Sequence, residues 1–152
     1  MPTMDYEYDD DRARIDGDAV WAFMSKHAYW GQWRTREVVD AQIRASWRVV
    51  GVFHVPTGAM VGFARAISDG VSLAYLADVY IVEEHRGQGL GEGLVRAMVD
   101  DGPGGHFRWM LHTQDAHGLY AKAGFTAADP TYLERPGSAP VTGTPTAASA
   151  GS

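Results

Sequence analysis

One stretch limits the folds open to this chain more than any other: Ile81 to Glu92, reading I-V-E-E-H-R-G-Q-G-L-G-E. Ahead of it runs VSLAYLADVYIV, residues 71–82, a long β-rich segment and the most buried-looking strand of the sequence. Behind it, GLGEGLVRAMVDDG sets Leu90, Leu94, Val95 and Met98 on one helical face, with Gly102 as the stop. A buried strand thus passes through a glycine-rich turn straight into an amphipathic helix. Glycines carry no Cβ, so successive backbone N–H groups can turn toward one point. The helix start adds unpaired donors and the positive end of the dipole. With Arg86 supplying a full positive charge at the mouth, the segment is a cradle for an anion such as a pyrophosphate.

The rest of the chain follows an α/β order around this point. Asp18 is placed to cap a first helix running to about His27, with Val20, Phe23 and Met24 on its apolar side. An aromatic stretch, HAYWGQWR at 27–34, precedes Thr35 and a second amphipathic helix through Val38, Val39, Gln42, Ile43 and Ser46. From Trp47 the period changes: WRVVGVFHV and MVGFARAIS read as a hairpin, and Asp69-Gly70 is a second turn. After the glycine-rich segment and its helix come a strand at FRWMLHT, a short helix at DAHGLYAKAGF ended by Gly124, and a last strand near Tyr132–Glu134. The predicted order is two helices, three strands, helix, strand, helix, strand, one α/β domain over residues 1–135 with a mixed sheet. Residues 136–152 are Pro, Gly, Ala, Ser and Thr with almost no bulky side chain, and the expectation there is disorder.

Composition removes several classes. There are no cysteines, which excludes disulfides, thiolate catalysis and cysteine metal sites. No apolar run approaches the ~20 residues of a membrane span. The acidic start MPTMDYEYDDDR is unlike a secretory signal, so a cytoplasmic protein without a membrane partner is expected. A net charge of −6 argues against nucleic acid and steers weakly toward a cationic partner. Asp9 to Asp11 read as a solvated segment.

Three phosphate-binding patterns compete for the cradle. A P-loop ends in Gly-Lys-Ser/Thr, which does not occur here. A dinucleotide fingerprint begins at Gly87-Gln88-Gly89, but its third glycine would fall on Glu92. The third is Arg-x-x-Gly-x-Gly after a strand, met by Arg86, Gly89 and Gly91. That pattern resembles the coenzyme A loop of the GNAT superfamily of N-acetyltransferases. About thirty residues later L-Y-A-K-A-G-F matches, at Tyr120, Gly124 and Phe125, the Tyr-x-x-x-Gly-Phe that these enzymes carry after their fifth strand. The resemblance covers roughly residues 5–135.

The resemblance implies a GNAT-like α/β (α+β) fold: a mixed, mainly antiparallel sheet with helices on both faces and splayed fourth and fifth strands. It also implies acetyl-CoA as co-substrate, with no metal. The pantetheine arm would pair with backbone at Val79, Tyr80 and Ile81, the Val79 amide facing the thioester carbonyl. Amides across Gly87, Gln88, Gly89, Leu90, Gly91 and Glu92 would hold the pyrophosphate beside Arg86. Tyr120 matches the tyrosine that protonates the leaving thiolate; packing the helix onto the sheet is its other reading. The family's usual base positions fall on Tyr75 and Ala77, neither a conventional base. Asp78 is open to two readings, a general base re-aimed by a bulge or a satisfied structural carboxylate. His112, at the end of the fifth strand, is a further candidate through water or a structural histidine. Thr113 stands where the family often has Asn and is placed to cap the helix. Acceptor recognition would fall to Tyr29, Trp30, Trp33 and Arg34, unless these aromatics simply cover the core. Trp21 and Trp47 belong to the core. The acceptor is expected to be a small-molecule amine; a protein amine and a non-catalytic acyl-CoA sensor are the alternatives. A homodimer is compatible with the family but not demanded by the residues.

Overall fold

In the computed structural model, which describes residues 5–28 and 33–138, the change of hydrophobic period at Trp47 marks the start of the sheet's centre. Strands β2 (Arg48–His54), β3 (Ala59–Ser68) and β4 (Leu73–Ile81) form an antiparallel meander. Their β-branched and aromatic residues suit a surface packed on both faces. A further strand, β1 (Tyr6–Asp9), pairs antiparallel with β2, and β5 (Arg108–Met110) pairs parallel with β4, giving the order β1-β2-β3-β4-β5. Four helices complete the described chain: α1 (Gly17–Lys26), α2 (Arg36–Ala45), α3 (Leu90–Met98) and α4 (His117–Lys122).

Side-chain alternation along the strands builds two cores. Val49, Phe53, Phe63 and Tyr80 meet Val20, Phe23, Met24 and Val39 of α1 and α2. On the opposite face Val50, Val52, Val61, Leu76 and Ile81 meet Leu90, Leu94, Val95 and Met98 of α3 and Tyr120 of α4. The expected mixed, mainly antiparallel sheet with helices on both faces is what the chain forms. Trp21 and Trp47 pack at the margins of these cores, partly buried rather than enclosed.

Four local expectations are corrected. The cap of α1 is Asp16, whose carboxylate accepts the Ala19 N–H; Asp18 lies in the first turn and pairs with Arg36 at 2.9 Å instead. Tyr6–Asp9 is a strand, because Tyr6 and Tyr8 pack on the α3-side core while the acidic side chains between and after them stay wet. The strand expected at FRWMLHT is confined to Arg108–Met110. Tyr132–Glu134 forms no strand; Asp129 turns the chain there, its carbonyl accepting the Tyr132 N–H. Thr35 caps α2 as expected, its hydroxyl accepting the Val38 N–H. Of the expected disordered tail, residues 139–152 lie outside the described part. No helix among the described residues is long and apolar enough to cross a membrane.

Gly62 in β3 shows how tightly the sheet is set. A Cβ there would stand 2.6 Å from Ile81 Cδ1 and 3.0 Å from both the Tyr80 carbonyl and Val52. Gly62→Ala should therefore destabilise the fold by roughly 1–3 kcal/mol through overpacking. Urea titration checks this, and an unchanged midpoint would show that β3 and β4 can part at no cost.

Candidate functional site

The glycine-rich turn ends with Gly87 and Gly89 both in the left-handed region, at φ 83° and 78°. Gly89 is the N-cap of α3 and brings no side-chain cap. The first helical amide with a carbonyl partner is Gly93, bonded to Gly89 O at 3.1 Å. Among the described residues, the amides of Leu90, Gly91 and Glu92 have no backbone acceptor, as the first turn of a helix requires, and those of Gly87, Gln88 and Gly89 have none either. No described atom lies within 4 Å of where a Cβ at Gly87 or Gly89 would stand, so a ligand can approach the main chain closely. Arg86 is exposed beside them, its Nε donating to Ile81 O at 2.8 Å and fixing the loop to the end of β4. Gln88 donates to His85 O at 3.2 Å and to the Tyr6 hydroxyl at 3.1 Å.

A second feature leads away from this cradle. β5 pairs only with Leu73, Ala74 and Tyr75 of β4. From Leu76 to Ile81 that edge of β4 has no neighbouring strand among the described residues. The two strands fork after Tyr75, and an extended chain could align along the open margin. Within the open stretch the register with β3 shifts: Phe63 faces Tyr80 and Arg65 faces Ala77, which sets Asp78 and Val79 opposite Ala64 alone. This is a β-bulge, and it frees main chain from the ladder at Val79. Asp78 takes φ 55°, a conformation that Asp tolerates better than most residues.

The bulge re-aims Asp78 onto the α1–α2 face, where two guanidiniums seize it. Arg34 Nη1 and Nη2 donate to its two oxygens at 2.9 and 3.0 Å, and Arg65 Nε donates at 2.7 Å. All three side chains are buried. Burial by itself raises the carboxyl, but the Arg34 hydrogen bonds and the charge of Arg65 outweigh it and hold the group at about 2. A carboxylate so strongly stabilised is a poor proton acceptor near neutral pH. Asp78 is accordingly a structural anion, and the reading of it as a general base is corrected. Arg34 is corrected with it: its guanidinium binds Asp78, Gln42 and the Met24 sulfur rather than an acceptor.

Tyr120 lies on the other face, in one core with Leu76, Ile81 and Leu90, the residues that bound the open edge and begin α3. Leu119 Cδ2 would lie 3.7 Å from a Cβ at Gly91, which puts α4 alongside the cradle. Burial, and secondarily the charge of Asp115, raises the Tyr120 hydroxyl to about 12. Its phenol stays protonated at any ordinary pH. Thr113 accepts the Ala116 N–H at 3.1 Å in the turn before α4, but it is not the expected helix cap: that position is Ala116, which brings no side-chain cap.

Comparison with known proteins decides the family. The sequence profile of the acetyltransferase (GNAT) family matches residues 18–125. The chain belongs to the GNAT acetyltransferase family. A curated protein of Gibberella zeae, provisionally named an acetyltransferase, is 31% identical over 110 residues, or 71% of this chain; the chain spans 60% of that relative's length. A GNAT-family structure from Xanthomonas campestris is 33% identical with a TM-score of 0.79, covering 86% of this chain and 92% of that one. N-acetylglutamate synthase of Neisseria gonorrhoeae, solved with coenzyme A and N-acetylglutamate, shares the fold at 18% identity and a TM-score of 0.65, over 84% of this chain and 30% of that one.

GNAT enzymes use acetyl-CoA, and the residues present fit such a donor: a run of free amides for a diphosphate, and an open strand edge for an amide-bearing arm. A cavity of about 160 Å³ also opens between β1 and α3, lined by Tyr6, Tyr8, Gln88 and Arg96 among others. It is on the β1 side of α3, whereas the fork opens toward β5, so it is not where a thioester would lie.

The other predicted site residues separate into groups. Tyr80 turns its ring into the α1–α2 core, stacked on Phe23 at 3.8 Å, so only its backbone can serve a ligand. Tyr29 and Trp30 lie outside the described residues. Trp33 is half-buried, and its indole N–H has no hydrogen-bond partner among the described residues. Tyr75 and His112 meet, with Tyr75 Oη 2.6 Å from His112 Nδ1. Sequence reasoning missed Tyr6 and Tyr8, which brace the cradle from β1, and His85 in the turn ahead of the glycines: Tyr6 Oη lies 2.8 Å from His85 Nδ1, and Tyr8 donates to Leu90 O at 3.3 Å. The alternation of Tyr6, Glu7 and Tyr8 carried that signal. It also missed Arg65, whose partner Asp78 is thirteen residues away across a turn.

The Asp78 cluster predicts a stability profile. Its folded carboxyl is held at about 2 against 3.8 ordinarily. The ionised form is therefore favoured by folding, and the stabilisation is complete above about pH 4 and fades as pH falls through about 2. Asp78→Ala should cost about 3–5 kcal/mol at pH 7 by leaving two buried guanidiniums unpaired. Acid and urea unfolding of both proteins measures this; equal stability at pH 7 would overturn the assignment of Asp78 as a structural anion.

Proposed function

We propose that this protein transfers the acetyl group of acetyl-CoA to the primary amine of a small molecule by direct attack in a ternary complex. One observation carries the reading: the amides of residues 87–92, without a backbone acceptor, follow an open strand edge that runs past Val79, with Tyr120 in the core behind it. The diphosphate of the donor lies on those amides, stabilised by the helix start and Arg86. Its pantetheine arm follows β4 from Ile81 to Val79. The Val79 N–H, released from regular pairing by the bulge, donates to the thioester oxygen, where negative charge grows during attack.

The amine nitrogen bonds to the carbonyl carbon, the C–S bond breaks and the sulfur leaves as thiolate, while one N–H bond of the nitrogen breaks and gives its proton to water as the amide forms. Tyr120 donates a hydrogen bond to that sulfur. With the phenol at about 12 and a thiol near ~8.5, the proton is shared rather than surrendered, so Tyr120 lowers the barrier by stabilising the thiolate as it forms. The acceptor is cationic in water, which the net charge of −6 favours. Trp33, half-buried ahead of α2, offers an apolar wall for its carbon skeleton.

Gly89→Glu should abolish acetyl-CoA binding in calorimetry, through a strained left-handed residue and an added negative charge. An unchanged dissociation constant refutes the cradle. Tyr120→Phe should lower kcat by roughly 10- to 100-fold, the worth of a hydrogen bond to a charged group, with acetyl-CoA affinity retained. Thiol release measured with acetyl-CoA across amino acids, polyamines, aminoglycosides and peptides checks this and ranks the acceptors; an unaltered kcat would remove Tyr120 from the chemistry.

A further inference from the structure

Two histidines from distant parts of the chain meet beside β1. His54 is the last residue of β2, paired with Tyr6 of β1 on one side and Ala59 of β3 on the other. His85 closes the short turn Glu83–His85 that leads to the glycines, its N–H bonded to Val82 O at 3.0 Å. The two rings stand 5.0 Å apart between centroids and are tilted by 54°. Tyr6 completes a triangle, at 5.2 Å from His54 and 5.7 Å from His85. Both histidines are half-buried.

In each ring the same nitrogen is taken. His54 Nδ1 lies 2.8 Å from Thr57 Oγ1, and His85 Nδ1 lies 2.8 Å from Tyr6 Oη. Thr57 Oγ1 accepts the Ala59 N–H at 3.3 Å and turns its own hydrogen toward His54 O at 3.5 Å, so its other lone pair takes a hydrogen from His54 Nδ1. Nε2 of the neutral His54 ring then carries the lone pair. Tyr6 Oη accepts from Gln88 at 3.1 Å and has a second lone pair for an N–H at His85 Nδ1. In that tautomer His85 also presents a bare Nε2. Neither Nε2 has a hydrogen-bond partner among the described residues. Two imidazoles on one tetrahedral ion, each nitrogen ~2.1 Å from it, have centroids roughly 5 Å apart. That is the separation found here.

We propose that His54 and His85 form a two-histidine clamp for a late first-row divalent ion, held through the Nε2 atom of each ring. The donors choose the metal. Imidazole nitrogen suits Cu²⁺, Ni²⁺ and Zn²⁺, with Cu²⁺ bound most tightly, whereas Mg²⁺ and Ca²⁺ want oxygen ligands. Thr57 Oγ1 and Tyr6 Oη hold the rings from behind, as outer-shell partners of metal-bound histidines do. No group of three histidines and carboxylates placed to hold a metal occurs among the described residues, so water takes the remaining positions and the ion is exchangeable. An ion there ties the end of β2 to the turn ahead of the glycines. Gln88, which bonds both Tyr6 Oη and His85 O, extends the tie to the cradle. The clamp lies outside the acetyl-transfer chemistry and stands independently of that reading.

The test titrates the full chain with copper, nickel, zinc and magnesium chlorides at neutral pH, read by calorimetry. Cu²⁺ should bind most tightly, Ni²⁺ and Zn²⁺ more weakly, and Mg²⁺ not at all. His54→Ala and His85→Ala should each weaken Cu²⁺ binding by roughly 10-fold or more, at least what loss of an outer-shell partner costs. His112→Ala should leave that affinity unchanged. Thr57→Val keeps both rings but releases His54 to turn, and should weaken binding by a smaller factor than His54→Ala. Acid should displace the ion by protonating the ligand nitrogens. A second measurement needs no variant: sparing Cu²⁺ should broaden the ring-proton NMR signals of His54 and His85 before those of the other histidines. Broadening that begins elsewhere overturns the clamp, as does unchanged Cu²⁺ affinity in either alanine variant, or Mg²⁺ bound as tightly as Ni²⁺.

Discussion

The buried contact between Asp78 and the guanidiniums of Arg34 and Arg65 organises more of this molecule than any apolar cluster does. Asp78 sits where β4 takes a residue too many for its pairing with β3, in a backbone conformation that costs energy outside glycine. The two ion pairs offset that cost and fix which face the side chain takes. They also tie the segment entering α2 to the middle of the sheet, because Arg34 precedes the helix and Arg65 lies on β3. The main chain at Val79 is freed by the same irregularity. The strand departs from regularity at the place where an acyl group would be met.

Under the acetyl-transfer reading two kinds of donor would address the acyl-CoA, and they differ in how they are built. The diphosphate cradle is local: two left-handed glycines and the first turn of α3 are enough to aim consecutive N–H groups outward. The acyl end is assembled from distant pieces, namely the bulge of β4, the core position of Tyr120, and the fork at Tyr75. Local geometry can be read from neighbouring letters. Assembled geometry cannot.

That difference explains what was legible in the sequence. The strand–glycine–helix unit, the β2–β4 meander and the Thr35 cap all rest on short-range rules, and the structure has them. β1 was hidden because charge dominates its composition, while the two tyrosines that make it a strand need a partner forty-odd residues away to pack upon. Asp16 and Asp18 are both capping residues two positions apart, and only the contact of Asp18 with Arg36 separates them. Arg34 reads as a polar contact in an aromatic loop until the bulge supplies its carboxylate. Glu134 stands in a segment expected as a strand, and its contact with His112 is visible only in the folded chain.

The grip of β1 on the far side of the cradle has a consequence for how the chain is handled. α3 carries Gly93 where any Cβ would land on the Tyr8 ring and hydroxyl, so helix and strand are pressed together at that spot. The cradle's backing is thus held by residues 79 and 82 positions earlier in the chain. Sequence-distant contacts of this kind close late in folding. A change at the front of the polypeptide that displaces β1 would therefore reach the glycine-rich turn from behind, although it removes none of that turn's own atoms.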